Sequence, residues 1–101
     1  MTMVPRFDPA IHAPLRLQIC AMLVAVDEAE FALVRSETDV SESVLSKHAR
    51  QLEEAGYLRL RKATLDSRQR TWLSLTAAGR AAFAAHIAEL TRLAGIARAA
   101  E

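Results

Sequence analysis

Four side chains on one short stretch concentrate the hydrogen-bond donors of this chain. Ser43, Ser46, Lys47 and Arg50 stand three and four residues apart within SESVLSKHARQLEEAGY, residues 41–57, the spacing that gathers side chains on one side of a helix. Two hydroxyls, an ammonium and a guanidinium, with the Gln51 amide beside them, make a face rich in donors. Acids keep clear of its middle. Glu42 lies at the start, where the helix dipole favours negative charge, and Glu53 and Glu54 lie at the far end. Leu45, His48, Ala49, Leu52 and Ala55 form an inward stripe on the other side. Groups of this kind are the ones that reach phosphate oxygens and base edges. A polar helix face is more often only a wetted surface, so the neighbouring sequence has to decide.

Ser41 is a helix-capping residue type and Gly56 a terminating one, so the spacing predicts a helix over residues 41–55. YLRLRKATLDSRQRTWLSLT then alternates around a polar centre, as a β-hairpin over residues 58–75 would. With Asp66 and Ser67 as a two-residue turn, Leu60 opposes Leu73 and Leu58 opposes Leu75, which puts four leucines on one face. A slip of one residue would set Leu60 against Ser74 and lose the match. The same register sets Arg61 across from Trp72, within reach of a cation–π contact. Lys62, Arg68 and Arg70 are then expected on the outer half and tip of the hairpin.

VSESVLSKHARQLEEAGYLRLRK followed by RTWLSLTAAGR resembles the winged helix-turn-helix transcriptional regulators related to the MarR and ArsR families, over about residues 12–90. The resemblance implies a mainly α fold with a small β-hairpin and a long C-terminal dimerisation helix. It implies a DNA-binding regulator, a repressor, acting as a homodimer on double-stranded DNA. Residues 41–55 would enter the major groove through Ser43, Ser46, Lys47 and Arg50. The wing, residues 58–75, would meet the backbone through Lys62, Arg68 and Arg70. Many members of the group carry glycine in the turn before the recognition helix, where this chain has Asp39.

At 101 residues with 51% hydrophobic content there is room for one domain, residues 1–101, with a core of Leu, Ile, Val and Ala, since aromatics are few. The net charge is only +1, but its distribution is uneven. Residues 1–40 hold three bases against six acids, and residues 41–75 hold seven against four. The positive excess falls on the helix and hairpin already singled out.

Other elements must hold that pair in place. Residues 1–11 read as an extended lead-in containing Pro5 and Pro9, with Phe7 and Ile11 as anchors. Pro14 suits the first turn of a helix to about residue 26 that is apolar almost all round and so needs cover beyond its own core. DEAE, residues 27–30, has the form of a capping box opening a second helix through about residue 37, with Phe31 and Val34 inward. Thr38, Asp39 and Val40 make the turn. Thr76 caps a last helix over residues 76–100, on which Phe83, Ile87, Leu90, Ala94 and Ala97 recur like the seam of a helix pairing. A homodimer joined through the first and last helices is therefore expected.

Competing chemistry is weak. His12, His48, His86 and Cys20 lack the close spacing of a metal site, so neither metal nor cofactor is expected. Cys20 in an apolar helix has no reason to form a reactive thiolate. No nucleophile elbow, phosphate loop or carboxylate pair suggests an enzyme. No apolar run is long enough for a membrane span and no leader pattern opens the chain, so the cytoplasm is the expected compartment. A winged-helix protein-interaction module and a metal- or thiol-responsive regulator are the alternatives.

Overall fold

The computed structural model describes residues 4–100 as four helices and a three-stranded antiparallel sheet. In chain order these are α1 (Pro14–Val24), β1 (Ala29–Glu30), α2 (Phe31–Thr38), α3 (Glu42–Glu54), β2 (Leu58–Leu65), β3 (Arg68–Leu75) and α4 (Ala77–Ala99). The sheet order is β1-β3-β2. Helices α1, α2 and α3 gather on Ile19, Cys20, Leu23, Val34, Leu45, Ala49 and Leu52, and the sheet closes that core with Leu58, Leu73 and Leu75. Ile11 of the lead-in and Phe83 of α4 complete it.

Local chemistry sets the ends of the elements. Asp39 takes the left-handed conformation (φ 53°) that terminates α2, a role glycine would fill without steric cost. The Ser41 hydroxyl accepts from the Val44 N–H at 3.2 Å and caps α3. At the other end Gly56 (φ 83°) lets its N–H reach the Glu53 carbonyl while the Tyr57 N–H reaches the Leu52 carbonyl, both at 2.9 Å. That pair of bonds is a Schellman ending.

The hairpin has the expected register. Leu58 pairs with Leu75, Leu60 with Leu73 and Arg61 with Trp72. Asp66 (φ 52°) and Ser67 (φ 62°) form the turn with both residues left-handed, as a type I′ hairpin requires. Three of the four leucines are buried and Leu60 packs against the core from its edge.

Two expectations need correction. Residues 27–30 are not a capping box: Ala29 and Glu30 pair with Leu73 and Trp72 as β1, and α2 starts at Phe31 with no side-chain cap. The outer edge of β3 would otherwise leave unpaired backbone groups. α1 ends at Val24 rather than residue 26, where the Arg80 guanidinium takes the Val24 and Val26 carbonyls at 2.9 and 2.8 Å and so satisfies the end of the helix. Along α4 the residues buried by this chain are Gly79, Phe83 and His86. Of the seam expected to pair with another chain, Phe83 is buried in this chain's own core, Leu90 is half-buried, and Ile87, Ala94 and Ala97 are exposed.

The start of α4 is seated tightly. Thr76 accepts from the Gly79 N–H at 3.0 Å, donates its hydroxyl to the Gly56 carbonyl at 2.7 Å, and sends its N–H to the Tyr57 carbonyl at 3.0 Å. A Cβ on Gly79 would lie 2.2 Å from the same Tyr57 oxygen. Only glycine fits where α4 crosses the base of the hairpin.

Candidate nucleic-acid interface

α3 turns its predicted stripe inward except at Ala55, which is exposed at the C-cap, and leaves its polar side open. Leu45, Ala49 and Leu52 are buried, Ser43, Lys47 and Arg50 are exposed, and Ser46 is half-buried. Glu42, Ser46, Arg50 and Glu53 form one wall of an open groove of about 520 Å³, and Leu60, Lys62 and Thr71 of the hairpin form part of the other. Lys62 thus joins the α3 surface, because strand alternation puts it on the same side as Leu60 and Thr71. Ser43, Lys47 and Gln51 extend that surface along the outer side of the helix.

The other face of the hairpin differs. Arg61 lies 5.5 Å from the centre of the Trp72 ring and makes two contacts to the Glu28 carboxylate, at 2.5 and 3.2 Å. Arg70 is half-buried and donates to both oxygens of Glu30, at 3.0 and 3.2 Å. The Arg70 charge is therefore partly offset inside the molecule, and Arg70 does not join Lys62 at the groove. Arg68 is exposed at the tip beside the turn. Among the described residues, no acid pairs with Lys47, Arg50, Lys62 or Arg68.

Sequence reading missed the groups that neutralise the hairpin arginines. Glu28 and Glu30 precede Arg61 and Arg70 by 33 and 40 residues, and their only local signal, the DEAE run, reads as a helix start. It also missed Arg16. This α1 residue fixes the lead-in through the Ala10 carbonyl (2.6 Å) and the Pro9 carbonyl (3.2 Å). It then crosses to α3, where Nη1 meets His48 Nδ1 at 2.9 Å and Gln51 Oε1 at 2.7 Å. A guanidinium only donates, so His48 accepts at Nδ1 and is neutral. Burial, with the charges of Arg16 and Lys47 adding to it, pushes the His48 pKa down.

Cys20 is fully buried, and its thiol is pushed up to about 11 by burial and by the Asp8 charge, against the opposing pull of Arg16. A thiol in that state stays protonated at neutral pH and packs as a small apolar group. His86 is 1% exposed and lies 3.1 Å from His12. Its Nδ1 accepts the Asp8 N–H at 3.4 Å, so its Nε2 carries the proton and donates to His12 Nδ1. This pair secures the lead-in against α4. Among the described residues, no cluster of three potential ligands could hold a metal ion.

A family model described as a winged helix DNA-binding domain matches residues 15–94, from α1 through most of α4. The chain belongs to this winged-helix family. An uncharacterised protein of Methanocaldococcus jannaschii is 29% identical over 82 residues, which cover 81% of this chain and 89% of that one. Among solved structures, a transcriptional regulator homologue from Pyrococcus horikoshii superposes with a TM-score of 0.81 at 26% identity, covering 85% of both chains. HlyU from Vibrio cholerae superposes with a TM-score of 0.61 at 25% identity, covering 83% of each. The Pyrococcus neighbour is itself described as a transcriptional regulator homologue, and the winged-helix fold is compatible with the resemblance to the MarR and ArsR groups. No helix among the described residues is long and apolar enough to cross a membrane.

Proposed function

We propose that this winged-helix protein is a sequence-specific transcriptional repressor that binds double-stranded DNA as a homodimer in the cytoplasm. Ser43, Ser46, Lys47 and Arg50 enter the major groove, where Arg50 and Lys47 can donate to guanine O6 and N7 or to phosphates. Lys62 and Arg68 meet the adjoining backbone. Arg70 is paired with Glu30 through Nη1 and keeps its Nε and Nη2 donors, so it contributes less charge to a DNA contact than Lys62 and Arg68.

The observation that carries this reading is the contrast in pairing. Glu28 and Glu30 pair with Arg61 and Arg70, while among the described residues Lys47, Arg50, Lys62 and Arg68 form no ion pair, although Glu42 and Glu53 stand on the same groove wall as Arg50.

The distal part of α4 supports the dimer. Ile87 and Ile96 are 41% and 40% exposed there, and Val24 at the end of α1 is 39% exposed. A 23-residue helix is roughly 34 Å long, and the molecule measures 57 × 25 × 21 Å, so α4 outruns the domain that seats its base. A two-fold pairing there would set two α3 helices at the spacing of one DNA turn, roughly 34 Å. Repression then follows by occlusion of the promoter.

The test is a gel shift with fragments from the promoter of the protein's own gene, over a salt series, alongside light scattering for mass. A shifted band with a steep salt dependence and a mass of two chains is the expected result. A monomer that retards no fragment at low salt would overturn the reading and favour a protein-interaction module.

A further inference from the structure

Gln51 lies at the border between the open side of α3 and its buried stripe. It is exposed and lines the same outer surface as Ser43, Ser46, Lys47 and Arg50. Yet one end of its amide is already committed. Arg16 Nη1 lies 2.7 Å from Gln51 Oε1, and the partner must be the amide oxygen because a guanidinium has no acceptor. The second hydrogen of Nη1 is used by His48 Nδ1 at 2.9 Å, and Nε and Nη2 are held by the Ala10 and Pro9 carbonyls. Arg16 is therefore fixed from three sides before it touches Gln51. The amide nitrogen, with two hydrogens, makes no hydrogen bond to any described residue.

A free glutamine reads adenine by accepting from N6 and donating to N7 at once. The Gln51 oxygen keeps a second lone pair, but the cationic guanidinium held beside it disfavours the approach of another donor, so the amide leads with its own hydrogens. We propose that Gln51 is a specificity-determining residue that Arg16 presents to the major groove chiefly as a donor, favouring a base edge that displays acceptors, guanine O6 and N7 or thymine O4, over adenine. Arg16 is the positioning residue in this arrangement. The proposal rests on the DNA-binding reading above and adds to it one base position in each half-site.

The test is selection of bound duplexes from a randomised library by the full-length wild type, Gln51→Glu and Arg16→Met, with urea midpoints measured in parallel. Glutamate keeps an oxygen for Arg16 but has no hydrogens to give. It should hold the urea midpoint while erasing a preference for G or T over A, worth roughly tenfold, at one position per half-site. Arg16→Met should move that position toward adenine, because the freed amide can again donate and accept. If Arg16→Met fails to fold, Gln51→Glu alone decides. An unchanged base profile for Gln51→Glu, or a Gln51-dependent position that favours adenine in the wild type, overturns the proposal while leaving DNA binding intact. A wild type that enriches no sequence at all overturns the DNA reading itself.

Discussion

Polar groups crowd two regions of this molecule and are treated in opposite ways. Between the lead-in and α4, each is matched: His86 with His12 and the Asp8 N–H, Asp8 with the Tyr57 hydroxyl at 2.5 Å, and Glu89 with Arg92. Phe7 stacks on His12 with ring centres 4.0 Å apart and seals the cluster. On α3 and the near face of the hairpin, Lys47, Arg50 and Lys62 have no acid partner among the described residues. The first region uses polarity to assemble the fold, and the second keeps it in reserve. The number of charges does not separate the two kinds of region. What separates them is whether the chain returns an opposite charge to the same place.

The contrast can be broken experimentally, and the largest effect belongs to the scaffold side. Gly79→Ala forces a Cβ into the Tyr57 carbonyl and should cost about 3 kcal/mol of stability in urea unfolding. Loss of under 0.5 kcal/mol would mean that α4 is not seated as described. On the open side, Arg50→Ala should leave folding unchanged and weaken DNA binding by about 1–3 kcal/mol, measured by fluorescence anisotropy on a selected site.

A subtler comparison sets Lys62→Ala against Arg70→Ala. Removing Lys62 should flatten the log–log salt dependence of binding by about 0.9. Removing Arg70 should flatten the slope less and cost less than about 1 kcal/mol of stability, as expected for a half-exposed ion pair with Glu30. Equal slopes for the two variants would erase the distinction between the faces of the hairpin.

The mildest effect is with pH. Burial lowers the pKa of both His86 and His48 below the ordinary 6.5, assisted by His12 in one case and Arg16 in the other. The folded state then binds fewer protons than the unfolded state just below pH 6.5, so the stability from these rings is complete above that pH and declines as the pH falls. Glu89, held low by its bond to Arg92, adds its own loss only below about pH 4.5. Urea midpoints at pH 7.5, 6.5 and 5.5 should fall across the last step, and a flat series would show that the rings are not held neutral.

Much of this was legible in the sequence because a single arrangement satisfied it. With Asp66 and Ser67 as the turn, Leu58 and Leu60 stood opposite Leu75 and Leu73 and a one-residue slip lost that match, and Ser41 and Gly56 bracketed α3 by their chemistry. What could not be read depended on distance along the chain. β1 is two residues long and too short to show a period. Arg70 looked free because Glu30 is 40 residues away. Nothing in the sequence around Gly79 signals the Tyr57 carbonyl that lies against it. The outer side of α3 was read correctly as donor-rich, yet Gln51 gave no hint that one end of its amide was taken from α1.

The glycine crossing at the base of α4 has a consequence for geometry. Because Gly79 rests on backbone rather than on a compressible side chain, the angle at which α4 leaves the hairpin is set by the main chain itself. A tilt of about 5° at that crossing would swing the far tip of a roughly 34 Å lever through about 3 Å, close to the rise of one base pair. A wedge no larger than a methyl group at this point would be enough to put the two reading heads of the proposed dimer out of step with the duplex.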